Sequence, residues 1–210
     1  ALAKRTFALE SETVQLLQDS GELRTGQLRI GAVGPFHVTE MLAMFNQRFP
    51  GIHLSVRMGN SESALRSLKG YQTDVAVLAR FMDDPQFHLV PYRSHPVGII
   101  VNDRHRLADR KSIRIEQLEG EPMILREEGS TTRKALEDAL GKAGVRCRVV
   151  MEIGSREAIR EAVIMGVGIG AVSEIEYVPD PRLRMLHVRG AHMYTHAHVV
   201  CLEERRTARM

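Results

Sequence analysis

Residues Glu152–Glu174 read EIGSREAIREAVIMGVGIGAVSE, and the rest of the chain repeats the pattern they set. Gly154 and Ser155 open a helix, because a Ser hydroxyl ahead of a helical run accepts a hydrogen bond from a free backbone N–H. Ile159, Ala162 and Val163 share one helical face, and Arg156, Glu157, Arg160 and Glu161 lie mostly on another. Gly166, Gly168 and Gly170 follow, then the apolar pair Ala171–Val172, then Ser173–Glu174. The order is helix, glycine turn, strand. A helix N-terminus with a hydroxyl and an Arg is a seat for a small anion. An ordinary capped surface helix has the same pattern, and these residues alone leave both readings open.

The glycines Gly166, Gly168 and Gly170 look like a dinucleotide fingerprint, but that fingerprint follows a strand and opens a helix. Here the order is reversed. Gly166 is expected as a helix C-cap, with Gly168 and Gly170 in a tight turn, and nucleotide binding is rejected on this signal.

Working outward, the stretch is preceded by a strand over Val145–Met151. Before that, a strand over Met123–Leu125 ends at Arg126, and residues 127–133 lead into a helix with Leu136, Ala139 and Leu140 inward. Pro96–Val101 is expected as a strand and Ile113–Leu118 as a connecting turn. Further upstream, Leu28 and Ile30 alternate with Gln27 and Arg29 in a strand over Gln27–Ala32. Gly34-Pro35 then opens a helix with proline in its favoured first turn, and Val38, Met41, Leu42 and Phe45 recur at helical spacing. Ile52, Leu54, Val56 and Met58 alternate in a second strand. Gly59-Asn60-Ser61 caps a helix with Ala64, Leu65 and Leu68 inward, and Asp74–Leu78 reads as a buried parallel strand. The class is α/β with mostly parallel sheets. Residues 1–18 read as a helix with Leu2, Leu9, Val14 and Leu17 among charges. An intersubunit or interdomain role and a frayed terminus are both open for it.

Strand ends that run into helix starts recur at Gly34, at Asn60-Ser61, at Ser130-Thr131-Thr132 and at Gly154-Ser155. In open α/β sheets ligands bind outside the carboxyl ends of the strands, so two such sheets facing each other would bring these positions to one cleft.

Composition sets bounds. The chain has 210 residues, 43% hydrophobic and 26% charged, without Trp, which is globular and long enough for two lobes. Lys+Arg total 29 against Asp+Glu 26, a net +3 too balanced by itself to demand a nucleic acid partner. Cys147 and Cys201 match no metal or redox spacing and point to a reducing compartment. No run is long enough to span a membrane and no signal-peptide pattern is visible, but Ala1 lies inside a helical-looking stretch, so the sequence reads as a fragment and the missing leader decides little. The expected location is cytoplasmic, in line with the cysteines, without membrane association.

Across nearly all its length the chain resembles the effector-binding half of LysR-type transcriptional regulators. The stretches that carry the resemblance are Gly26–Gly31, Phe45–Ile52, Gly59–Ser61, Asp74–Val77, and Glu152–Ser155 with Gly166–Gly170, in this order and spacing. The resemblance implies two periplasmic-binding-protein-like α/β lobes of type 2, with a hinge and an interlobe cleft. It implies lobe I over 27–93 plus 184–210, lobe II over 94–183, and the end of a linker and dimerisation helix with its connector over 1–25. The family's winged helix-turn-helix is not in this chain, so DNA would be reached through an N-terminal domain outside it. The family also closes with a helix, for which 205–210 leave too little room; the end is either cut short or diverged.

The resemblance implies an effector site lined by Gly34, Phe36 and His37, by Asn60 and Ser61, and by Ala79 and Arg80 from the first lobe. The second lobe would supply Ser130, Thr131, Thr132, Arg133, Ser155, Arg156, Glu157, Ser173 and Glu174. GPFHV (34–38), VLARFMDDP (77–85) and EIGSREAIREAV (152–163) are similar to regulators of 2-aminoethylphosphonate catabolism. That implies a phosphonate at the helix N-termini and an ammonium near Glu157 or Glu174. RNA polymerase and a second or fourth copy of the chain are the implied partners, the copies meeting through the second helix of a lobe and its neighbouring strand.

No cofactor is expected. An enzyme would need a nucleophile with a base, and neither a Gly-x-Ser-x-Gly elbow nor a motif near either Cys is present. His187, His192, His196 and His198 are the candidate metal ligands, but no spacing matches a closed zinc site, and no metal is expected. His37 is open between a ligand contact and a solvent-facing side chain. A solute-binding protein of a transporter shares the lobed architecture and is the alternative function.

Overall fold

The computed structural model describes residues 25–79 and 83–207, apart from the side chain of His37. The expected linker helix over 1–18, and Arg80, lie outside the described residues. The chain divides into two compact units. Among the described residues, one unit holds those up to Arg93 together with those from His196, and the other is Ser94–Thr195.

In the first unit, β1 (Gly26–Ala32), α1 (Pro35–Arg48), β2 (Ile52–Met58), α2 (Ser61–Lys69) and β3 (Val75–Leu78) alternate as the apolar spacing requires. β1 runs parallel to both β2 and β3. The period of two along a strand splits its side chains between the two faces of the sheet. Leu28, Ile30, Ile52 and Val77 pack with Val38 of α1, while Ala76 and Leu78 pack with Ala64 and Leu68 of α2. Each fully buried Leu such as Leu68 or Leu78 contributes roughly 1.5–3 kcal/mol relative to exposure.

The second unit repeats the scheme. β6 (Pro122–Arg126), α3 (Thr131–Ala143), β7 (Arg148–Ile153), α4 (Arg156–Ile164) and β8 (Ile169–Ser173) follow β5 (Ser112–Arg114), and β6 lies parallel between β7 and β8. Met123, Leu125 and Ile169 pack under Leu136, Ala139 and Leu140 of α3; Ile124 packs on the other face under Ile159, Val163 and Ile164 of α4.

The antiparallel strands are where sequence and structure part. β4 spans Phe87–Asn102, 16 residues, where only Pro96–Val101 reads as a strand. Its first half carries Pro91 and is mostly exposed or half-buried, so no clean alternation marks it. β9 (Leu183–Arg189) and β10 (Tyr194–Leu202) complete the sheets: β10 is antiparallel to β3, and β4 is antiparallel to both β8 and β9. The pairing of Ile99 with Leu186 puts β9 in the second unit, so the chain returns to the first at Thr195–His196. The resemblance assigns residues 184–195 to lobe I, and this pairing corrects that boundary. Leu202 leads only into a short 3₁₀ turn, Glu203–Arg205. Among the described residues no helix is long and apolar enough to cross a membrane.

Of the glycine run after α4, Gly166 closes the helix as its sequence implies, but Gly168 directly precedes β8 and Gly170 lies within it, not in a tight turn. Gly166 adopts φ +76°, and Val167 N–H reaches back to Ala162 O at 3.1 Å, closing the helix end in the left-handed conformation glycine permits. Gly168 and Gly170 are there for space: a Cβ on Gly168 would lie 2.5 Å from the Pro122 carbonyl oxygen, and one on Gly170 2.8 Å from Ile159 Cγ2.

Candidate functional site

In the second unit, β6, β7 and β8 are parallel, so their carboxyl ends emerge on one edge of the sheet, and Arg126 is in register with Ile153 there. Two helices start at that edge. Ser130 caps α3 and its Oγ accepts from Arg133 N–H at 3.4 Å. Ser155 caps α4 and its Oγ accepts from Ala158 N–H at 3.2 Å. Both caps keep the strand conformation of the residue before the helix, as a strand running straight into a helix demands. The first-turn N–H groups of each helix have no partner within it and present the positive end of the helix dipole.

Arg126 sits between these two starts and is 5% exposed. Its guanidinium forks onto the Glu127 carboxylate, Nε to Oε2 at 2.8 Å and Nη2 to Oε1 at 2.9 Å. The Glu127 carboxylate in turn lies 3.9 Å from where a Cβ on Gly154 would stand, so β6 and β7 present their ends side by side. Ser155 Oγ donates to Glu157 Oε2 at 2.7 Å. That bond holds the Glu157 carboxyl below its usual range, helped by its own backbone N–H and by the charges of Arg156 and Arg126.

Arg156 is tied to the short 3₁₀ turn that follows β8, its Nε donating to Glu176 Oε2 at 2.8 Å. Arg133 is committed to the frame rather than to the open edge. It donates from Nε to Glu137 at 2.8 Å, and from Nη1 to the Arg126 carbonyl at 2.9 Å and to Glu152 at 2.7 Å. Thr131 is half-buried and Thr132 buried, while Glu174 is exposed. Ser173 is 2% exposed and shares a 3.1 Å hydrogen bond with Thr195, so its hydroxyl faces the sheet interior.

The first unit gathers its strand ends in the same way. Gly59 N–H donates to Ala32 O at 2.9 Å and Val33 N–H to Val77 O at 3.2 Å. Asn60 Oδ1 accepts from Ser63 N–H at 2.9 Å in a capping box. Ser61 is buried, and its Oγ accepts from Ala79 N–H at 3.3 Å, which joins β3 to α2. Gly34 is the extended N-cap of α1, with no side chain to cap it, and Phe36 is exposed. The structure thus places Gly34, Asn60, Ser61 and Ala79 at the strand ends of the first unit, and Ser130, Thr131, Ser155, Arg156 and Glu157 at the helix starts of the second, while the side chains of Arg133 and Ser173 are taken up within the frame.

Sequence reasoning does not single out Arg126 and Glu127 as site residues. The signal is present all the same: an Arg closes a buried apolar strand shortly ahead of a Ser-Thr-Thr helix start.

The histidine group disperses. His198 is buried in β10 with Nδ1 donating to His196 O at 2.8 Å, and His192 stacks on Tyr194 at 4.5 Å. Among the described residues no three or more His, Cys, Asp or Glu side chains gather as a metal site. Burial pushes the Cys147 thiol up to about 11, with Glu119 and Glu121 adding to it, so it stays protonated at neutral pH.

Comparison with known proteins is consistent with this architecture. The HTH-type transcriptional activator CmpR of Synechocystis sp. is 31% identical over 192 residues, covering 89% of this chain and 63% of that protein. The HTH-type transcriptional regulator CysL of Bacillus subtilis is 30% identical over 151 residues, 70% of this chain and 50% of the relative. The chain therefore spans about half to two thirds of the length of these relatives. The regulatory domain of Synechocystis PCC6803 CcmR, solved in complex with 2-PG, superposes with a TM-score of 0.77 at 27% identity, over 85% of this chain and 88% of that one. The effector binding domain of QuiR with shikimate has the same fold, with a TM-score of 0.79 at 17% identity over 85% and 88% of the two chains. These folds are type 2 periplasmic-binding-protein-like, as the sequence implied. The family model described as "LysR substrate binding domain" matches residues 21–210, and the chain belongs to that family.

Proposed function

We propose that this chain is the effector-sensing part of a cytoplasmic LysR-type transcriptional regulator. A small anionic metabolite bound at its helix N-termini would control DNA binding through a separate N-terminal domain, acting with RNA polymerase and as a homodimer or homotetramer. The names of the relatives support a regulator over a transport protein. The observation that carries the site is the edge of the second unit, where two helix starts, capped by Ser130 and Ser155, flank the buried Arg126.

The charges at that edge favour a ligand of both signs. Arg126 is already matched by Glu127 and Arg156 by Glu176, while Glu157 is kept ionised by a serine hydroxyl. An anionic group would therefore rely on the helix N–H groups, each helix end contributing about 0.3–1 kcal/mol for an exposed charge. A cationic group would meet Glu157. 2-Aminoethylphosphonate fits that pattern and is the leading ligand from the sequence resemblance; 2-PG is second, from the CcmR neighbour.

Calorimetry with 2-aminoethylphosphonate, ethylphosphonate, 2-PG and a carboxylate panel tests this. Ser130→Ala with Thr131→Ala should weaken every anion. Glu157→Gln should weaken the aminated phosphonate more than ethylphosphonate. Heat from none of the anions, beside clear binding of an uncharged or aromatic compound, would end the proposal.

A further inference from the structure

The second unit carries a basic strip that the effector site does not use. β5 is a strand of 3 residues that pairs with β9 alone among the described strands, in parallel register Ser112 with His187, Ile113 with Val188 and Arg114 with Arg189. Ile113 is fully buried, so the period of two turns Ser112, Arg114, His187 and Arg189 outward together. Arg114 and Arg189 thus stand directly opposite each other, both exposed. Arg110 and Lys111, both exposed, immediately precede the strand, and the Lys111 carbonyl accepts from His187 N–H at 3.1 Å.

Like charges directly opposite on a sheet destabilise it. Several other arginines of this unit are matched: Arg106 holds Glu121, Arg126 holds Glu127, and Arg160 holds Asp180. Among the described residues no ion pair neutralises Arg110, Lys111, Arg114 or Arg189, although Asp109 and Glu116 are exposed nearby in sequence. The overall charge balance hides this local excess. The strip also contains none of the chain's exposed large apolar side chains. A protein partner is held chiefly by buried aromatic and apolar anchors, whereas a phosphate backbone asks only for cations and hydrogen-bond donors.

We propose that the β5–β9 strip, centred on Arg114 and Arg189, binds nucleic-acid phosphates without reading sequence. It would place a second, backbone-only anchor on the regulatory part of the protein.

The test is fluorescence anisotropy of the 210-residue chain on a labelled duplex of arbitrary sequence, over a potassium chloride series. The expected result is duplex binding that weakens with salt. R114A/R189A should lower the slope of log affinity against log salt by about 1.8, since each phosphate that a cation neutralises adds about 0.9 to it. Its thermal midpoint should not fall, because the like-charge repulsion is removed. R148A, which deletes an exposed cation on β7, should leave the slope unchanged. Four results would overturn the proposal: no duplex binding at the lowest salt; equal loss in R148A, which would mean net charge alone; unchanged duplex binding with loss of polyglutamate binding, which would mean an acidic protein partner; or unchanged duplex binding with new aggregation, which would mean that the charges only guard an edge strand.

Discussion

Arg133, in the first turn of α3, donates its Nη1 to the carbonyl oxygen of Arg126 at 2.9 Å and so pins the helix start to the end of β6. The same nitrogen reaches Glu152 on β7 at 2.7 Å, which makes one side chain the strut between two strands and a helix. Arg133→Ala should cost about 1–2 kcal/mol in urea unfolding, the scale of a charge-assisted hydrogen bond in a half-buried setting. Arg133→Lys should recover less than half of that, because an ammonium cannot span the fork. Ligand affinity of the folded protein should change little in either variant; a loss as large as that of Ser130→Ala would put Arg133 on the ligand.

Ser155 has two tasks, capping α4 and holding Glu157 ionised. Ser155→Ala should cost about 1 kcal/mol of stability for the cap. It should also let the Glu157 titration, followed by NMR, climb back toward the ordinary glutamate value of about 4.3. A Glu157 titration unmoved in the variant would show that the serine is not its main stabiliser.

Asp74 links β3 to β1 and to the chain's far end. Burial raises its carboxyl, but Arg29, through its side chain, backbone N–H and charge, and Arg205 through its charge, outweigh that and hold it below the ordinary range. A depressed folded pKa means stability that is fully present above the unfolded value of about 3.9 and is lost as pH falls through the folded one. Asp74→Asn should therefore be less stable than the parent at pH 7. The gap should close on acidification below about pH 4. A gap constant with pH would remove the ion pair as its cause.

The two crowded glycines should rank by what they face. Gly168→Ala drives a methyl into the Pro122 backbone, which cannot move without disturbing β6, and should cost more than about 3 kcal/mol. Gly170→Ala meets a methyl of Ile159, which can rotate away, and should cost about 1–3 kcal/mol. Thermal melts of the two variants give the order directly, and a reversed order would mean the β6–β8 packing is looser than described.

The α/β core was legible because its signals are local. Alternation at Leu28 and Ile30, helical spacing at Leu136, Ala139 and Leu140, and caps at Asn60, Ser130 and Ser155 each need only a few neighbouring residues to be read. The extent and pairing of the antiparallel strands were not, beyond Pro96–Val101 in β4, because β4, β9 and β10 take their pairing from partners far along the chain, Leu186 with Ile99 and Val199 with Val77. The same reason hid Arg126. Its meaning depends on Ile153 beside it and on two helix starts that meet only in the folded sheet. Ser173 and Ser61, which the resemblance implies as effector contacts, are both buried; the Ser173 hydroxyl shares a hydrogen bond with Thr195, and Ser61 Oγ accepts from the Ala79 N–H.

The second unit is one unbroken segment, Ser94–Thr195, while the first is completed only by His196 onward. The order of synthesis is therefore not the order of completion. The first unit emerges first, with β3 waiting unpaired on the side that β10 will fill through Val199 and Val200. The later unit has all its strands in hand by Arg189 and can close while still tethered to the ribosome. The earlier one stays an open-edged intermediate until β10 has been made, since non-local pairing cannot be rewarded before its partner exists. Its exposed β3 edge in that interval is the place where a nascent copy is most vulnerable to pairing with the wrong chain.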